Sequence, residues 1–493
     1  MSGPGNIFEV EGDMVIFRCP IVRSGTAALN RALFSKTIPI AAAALHDNKS
    51  ISKYRKLLEA SREILHAERI SPIAPHPDQA LANKGRKCLL LNPNVKAEAS
   101  DTWGPVVKDG VQKEELTVIP YELRLNYDYW TFRKTLGLSS LLSCAVGDVM
   151  ASILPEELHD EIPSGFNIAG HVAHLNLREN YLPYKYLVAE IILDKNPQIK
   201  TVINKIDNVG SDSEFRTFQY EVLAGPDDLN VQVSENDCIF DFDYSKVYWN
   251  SKLESEHRRL INMFQPGEVV CDVMAGIGPF AVPAGKKRVF VWANDKNPES
   301  FKCLEAAIKK NKVSPFVRPF CEDGRTFIHK AADSVLEASR NGECAVLAPK
   351  KPRTPNPQNT APPKEERIPI PPTISHFVMN LPASAIEFLP NYRGLYAGRE
   401  ALFAPHTATK LPLVHVHCFS VKADDETPVR DICERITKEL GFRFRPAADG
   451  EGESAADAEG VIKIHRVRDV APAKSMYCAT FRLPAAVAFA ARE

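Results

Sequence analysis

Val269-Val270-Cys271-Asp272-Val273-Met274-Ala275-Gly276-Ile277-Gly278-Pro279-Phe280 is the stretch that decides the fold. An apolar run ends in an aspartate, a glycine-bearing turn follows, and small apolar residues then suit a helix start. The pattern reads as buried strand, loop and helix. Gly276 and Gly278 let the backbone come close to a ligand. About twenty residues further on, a second apolar run, Val289-Phe290-Val291-Trp292-Ala293, ends at Asn294-Asp295. An acidic side chain at the tip of the second strand suits the two hydroxyls of a ribose. The loop lacks the third glycine of the dinucleotide fingerprint and the Gly-Lys-Ser/Thr of a phosphate-binding loop. A ligand with a ribose and no pyrophosphate fits better, which points to S-adenosylmethionine. A plain βαβ unit with a tight turn is the other reading.

The chain has 493 residues, 44% of them hydrophobic, which suits about two or three domains with full-sized cores. A net charge of -1 does not exclude a local basic face for nucleic acid. The 11 cysteines form no Cys-x-x-Cys pair, which argues for a reducing compartment and against a structural zinc site. His415 and His417 would share one face of a strand-like run, Leu411 to Phe419. With no further ligand near them in sequence they read as ordinary histidines, and no metal is expected. No apolar run reaches about eighteen residues, so no membrane span is expected. Residues 14–46 carry Arg18, Arg23, Arg31 and Lys36 but no Asp or Glu. That is the composition of a mitochondrial transit peptide, for which Met14 offers a start, or of a plain basic arm.

Three regions are expected. Residues 1–120 are mixed, with a helical segment from Ile51 to Glu68. Residues 121–250 form a denser α+β block, with a helix from Leu182 to Leu193 and a strand from Ile199 to Ile206. Residues 251–493 hold the βαβ pattern. The stretch 348–373, dense in Pro, Lys and Arg, reads as a disordered insertion or long surface loop. The acidic stretch Ala447 to Glu459 reads as an extended hairpin loop.

Three further segments carry chemistry. Phe377-Val378-Met379 runs into Asn380-Leu381-Pro382, an asparagine at a strand tip held by a nearby proline, as in enzymes that methylate base nitrogens. A carboxamide offers a base edge both donor and acceptor, and proline restricts the backbone that carries it. In Lys252 to Ile261, helical periodicity puts Leu253, Glu256, His257 and Leu260 on one face. Burial would raise the pKa of Glu256 toward that of a general base; a solvated charged helix is the other reading. Arg216 lies among aromatics in Glu214 to Gly225, where it suits contact with a splayed-out base or is an ordinary exposed strand arginine.

Together these segments resemble the archaeal and eukaryotic tRNA (guanine-N1)-methyltransferases that modify guanosine 37, beside the anticodon, in their fungal form. The resemblance rests on His171–Glu179, Leu182–Asp207, Phe215–Gly225, Phe242–Arg259, Asp272–Phe280, Asn294–Pro298 and Asn380–Pro382. His465–Asp469 and Tyr477–Pro484 match the carboxyl end. It covers most of residues 150–490. It implies an α/β fold: a class I, Rossmann-like methyltransferase domain, a mixed α+β middle domain and a small amino-terminal domain that grips tRNA. It implies S-adenosylmethionine as cofactor, tRNA as partner, a monomer, and cytoplasmic, mitochondrial matrix and nuclear pools. Residue by residue, the catalytic arginine falls on Arg216, the general base on Glu256 and the base-contacting asparagine on Asn380. The ribose carboxylate falls on Asp295. Cofactor contacts fall on His257, Asp272, Gly276, Lys296, Asp323, Gly324 and Asn380. Two departures stand out: extra length over Phe132 to Met150, and the Pro-rich insertion before Asn380. An aminocarboxypropyl transferase of the wybutosine pathway, with the same fold and cofactor, and a catalytically silent tRNA-binding protein are the alternatives.

Overall fold

The computed structural model describes residues 16–23, 25, 28–130, 148–159, 162, 166–206, 215, 217–347, 365–405, 411–448 and 458–492. The chain divides into two compact units. One takes residues 1–166, 175–204 and 222–226; the other takes 167–174, 205–221 and 227–493. The region expected as a block over 121–250 is thus shared between them.

The first unit is built on a sheet of β1 (Lys36–Leu45), β2 (Ile73–Pro75), β3 (Lys87–Leu90) and β4 (Leu116–Leu125), in the order β2-β3-β1-β4. Small and branched apolar residues fill β1, and every residue from Ile40 to Leu45 is buried, as befits an inner strand. Helices α1 (Ile51–Ala60) and α2 (Pro105–Gln112) pack Tyr54, Leu58 and Val107 into the same core. Buried Glu63 accepts hydrogen bonds from the backbone N–H groups of Val106 and Val107, at 3.0 and 3.1 Å, and so caps α2. The helix expected over Ile51 to Glu68 ends at Ala60; Arg62, at φ 59°, turns the chain out of it. The second expected helix forms as α3 (Lys185–Lys195), and the expected strand as Thr201–Lys205.

The second unit contains a hairpin, β5 (Asn230–Glu235) and β6 (Cys238–Asp243). Its main sheet comprises β7 (Val269–Asp272), β8 (Phe290–Asn294), β9 (Val317–Phe320), β10 (His376–Met379), β11 (Leu413–Val421), β12 (Arg445–Pro446), β13 (Val461–Ala471) and β14 (Lys474–Arg482). The order is β9-β8-β7-β10-β11-β14-β13-β12. The first five positions are parallel and β14 runs antiparallel to both its neighbours. Helices α4 (Glu254–Met263), α5 (Ala281–Lys286), α6 (Pro298–Lys310), α7 (Gly324–Arg340) and α8 (Thr427–Leu440) belong to this unit. Strands buried on both faces read as continuous apolar runs, and β7, β8 and β10 are buried throughout. This is the Rossmann-like α/β architecture that the resemblance implies, built around the strand, loop and helix read from the glycine segment.

Two expected loops change. The acidic segment 447–459 joins β12 and β13, which pair in parallel, so it is not a hairpin loop. Of the stretch 348–373, residues 348–364 lie outside the described residues, and Glu366–Pro369 pairs antiparallel with Cys344–Leu347. Most of the expected extra length over 132–150 also lies outside; Asp148–Ile153 is helical. Among the described residues no helix is long and apolar enough to cross a membrane.

Candidate active site

The carboxyl ends of parallel strands in an open α/β sheet are where ligands bind, at the point where strand order reverses. Here the reversal lies between β7 and β10. A cavity of about 410 Å³ opens there, lined by residues that follow β7, β8, β9 and β10 in turn. From β7 comes the loop Val273 to Phe280. Gly276 and Gly278 both have positive φ, 56° and 98°. The loop is tied to the tip of β8 by the bond from Ala275 N–H to the Asn294 carbonyl, 2.6 Å. From β8 come Asn294, Asp295, Lys296 and Asn297; from β9, Asp323, Gly324 and Arg325; from β10, Asn380 and Leu381.

Asp295 is the acid at the second strand tip. Its two oxygens accept from the N–H groups of Gly276, at 2.8 Å, and Asn297, at 2.9 Å. Burial raises its pKa against those two bonds. Asp323 caps α7 by accepting from the Arg325 N–H, which leads in holding its carboxyl below the usual range; Lys296 sits 3.4 Å away. Asn380 lies at the tip of β10, and the Pro382 carbonyl accepts from Phe419 N–H on β11 at 3.1 Å. The Asn380 Oδ1 is buried and has no hydrogen-bond partner among the described residues. A buried acceptor left open on a cavity wall is costly unless a ligand donates to it.

Asp272 is an expected cofactor contact that does not line the cavity. It is fully buried beneath the loop, and no side chain among the described residues donates a hydrogen bond to its carboxylate. Burial, then the nearby Asp295, push its pKa up to about 8.

Glu256 lies on the buried face of α4 with His257, Leu260 and Ile261, as the periodicity indicates. It does not line the cavity. Its carboxylate is gripped by Arg259, whose Nε and Nη2 donate at 2.7 and 2.8 Å, and by His417 Nε2 at 2.8 Å. Burial alone would raise its pKa; the bonds from Arg259 and His417 outweigh burial and hold it well below the carboxylate range. The expected upward shift is therefore reversed. His417 is correspondingly driven up to about 10: burial would lower it, and Cys478 and Glu256 prevail. Donor atoms of Glu256, His417 and Cys478 all lie within 4.8 Å of one another, a possible metal-ligand set. The Arg259 guanidinium already supplies the positive charge there.

His257 does line the cavity. Arg216 lies outside the described residues, but its neighbour Phe215 is on the cavity wall. The sequence reading thus placed Asn380, Asp295, Lys296, Asp323, Gly324, Gly276 and His257 around one cavity. It missed three partners: Arg259, one turn along the same helix from Glu256, and, from strands elsewhere in the chain, His417 against Glu256 and the acid behind His257. Tyr248, Trp249 and Asn250 are also on the wall, within the segment Phe242–Arg259 that carries the resemblance.

Comparison with known proteins agrees. Residues 231–344 match the model of the TRM5/TYW2 methyltransferase domain, and 146–228 that of the TYW2 N-terminal domain. A tRNA (guanine(37)-N(1))-methyltransferase of Neurospora crassa is 67% identical over 97% of this chain and 96% of its own length. Those of Fusarium vanettenii and Schizosaccharomyces pombe are 60% and 41% identical, over 97% and 94% of this chain and 98% and 95% of theirs. Two solved structures share the fold. Trm5b from Pyrococcus abyssi has a TM-score of 0.53 at 20% identity, covering 90% of this chain and 99% of that one. The complex structure of aTrm5 and tRNALeu has 0.52 at 16%, covering 90% and 100%. With its glycine loop, strand-tip acids and open asparagine in place, the chain belongs to the tRNA (guanine(37)-N(1))-methyltransferase family.

Proposed function

We propose that this protein transfers the methyl group of S-adenosylmethionine to N1 of guanosine 37 in the tRNA anticodon loop. The observation that carries the reading is the unpartnered Asn380 Oδ1, on a residue that lines one cavity with Asp295 and Asp323. S-adenosylmethionine supplies an electrophilic methyl on a sulfonium. Asp295 holds the ribose hydroxyls, Asp323 and Gly324 the adenine edge, and Asn380 accepts from the guanine and keeps N1 in line. The target base leaves its stack to reach the cavity. N1 must shed its proton to attack, and Glu256, which does not line the cavity as it stands, takes it once its side chain has moved there. The ionised carboxylate needs one cationic partner to let go. Arg259, with its side chain 28% exposed, is freer to do so than fully buried His417. Arg216 stabilises the charge that grows on O6.

Incubating the protein with cofactor and a tRNA bearing unmodified guanosine 37 should yield N1-methylguanosine by mass spectrometry. A heavier adduct would show an aminocarboxypropyl transferase, and tight binding without product a silent binder. Glu256→Gln should still bind cofactor and tRNA yet turn over about 10²-fold more slowly; full activity across pH would reject Glu256 as the base. The protein acts as a monomer, needs no metal, and works in cytoplasm, nucleus and mitochondrial matrix. Fusing residues 14–50 to a fluorescent protein tests the last location; a purely cytosolic signal would remove it.

A further inference from the structure

We infer that Glu235 is a positioning residue that sets His257 to receive the amino-acid end of the cofactor. The inference rests on the reading of the cavity as a site for S-adenosylmethionine. Glu235 is the last residue of β5, at the turn into β6, and His257 stands on the first turns of α4. Their side chains meet at 2.5 Å, Oε1 to Nδ1, and each is only 4% exposed. A carboxylate only accepts, so the Nδ1 proton belongs to this bond and Nε2 is the nitrogen left for a ligand. The ring is further fixed by the edge-on face of Phe280, centroid distance 4.7 Å. A histidine held by a buried acid on one nitrogen while its residue lines a cavity is an oriented binding group.

The sheet order says which part of the ligand it meets. Asp323 and Asp295 follow β9 and β8 on one side of the reversal, where adenine and ribose belong. His257 sits against Phe280, which in turn lies 6.0 Å from the ring of His417 on β11, on the other side. That side is left for the methionine portion, whose carboxylate and ammonium offer an acceptor and donors to Nε2. The feature is invisible in sequence because Ser234-Glu235-Asn236-Asp237 looks like any polar hairpin turn.

Two nucleosides separate the ends of the ligand. S-adenosylhomocysteine carries the amino-acid group, and 5'-methylthioadenosine does not. Calorimetric titration of the full chain should show Glu235→Gln binding S-adenosylhomocysteine about tenfold more weakly, with 5'-methylthioadenosine unchanged. His257→Ala should show the same pattern, and the double variant no further loss. Equal loss of both ligands would mean Glu235 only supports the fold, and no loss of either would mean it does nothing for the site; both overturn the inference. If the unaltered protein binds neither nucleoside, the cofactor reading itself falls.

Discussion

Asn380 and Asp272 show two ways in which a buried polar group is left open. Asn380 lines the cavity, and in the proposed function a ligand completes it. Asn380→Ala should slow methyl transfer about 10²–10³-fold, read by single-turnover kinetics with saturating cofactor; an unchanged rate would mean the carboxamide does not touch the base. Asp272 faces the interior. Its folded pKa near 8 lies above the ordinary value of 3.8. The fold therefore keeps a proton that the unfolded chain releases, and stability from this group, full below about pH 4, declines as pH rises to about 8. Asp272→Asn lacks that decline. Its melting temperature should gain on the unaltered protein between about pH 5 and pH 9, by the equivalent of a few kcal/mol; a constant gap would contradict the shift. Both residues were legible as the ends of apolar runs. Their difference was not, because it depends on which side of the strand tip the side chain leaves.

At the scale of elements, the glycine loop sorts its two glycines by what surrounds them. Both have positive φ, so any side chain is strained there. A Cβ on Gly278 would stand 2.7 Å from Leu304 and 2.9 Å from Val282, whereas one on Gly276 meets nothing within 4 Å. Gly278→Ala should lower stability by about 2 kcal/mol or more. Gly276→Ala should cost about 1 kcal/mol but, on the proposed function, obstruct the cavity that Gly276 lines and so weaken cofactor binding. Thermal melting and cofactor titration together check this; equal melting temperatures would be the contrary result. Helix α4 was legible from its periodicity, since Glu256 and His257 are both buried as that pattern requires. What the pattern could not reveal was the company they keep: His417 comes from β11, 161 positions along the chain. Similarly, the parallel pairing of β12 with β13 follows from sheet order, to which a loop's composition gives no clue.

Across the whole molecule, the amino-terminal stretch serves the fold as well as any address it carries. The acid-poor composition of residues 14–46 overlaps β1, which pairs with both β3 and β4. Removing residues 1–46 should leave the first unit unable to form its sheet, whereas removing residues 1–15 should not; far-ultraviolet dichroism and solubility of the two truncations decide it. The charged knot of Glu256, Arg259 and His417 has a global consequence too. Ions stripped of water are a thermodynamic burden even when well matched, and apolar side chains of similar size in their place often raise stability by about 1–4 kcal/mol. A chain rebuilt with oily residues at these three positions should therefore melt later than its parent, and on the proposed role of Glu256 it should perform no chemistry. How far its melting point climbs measures what these hidden ions take away from durability.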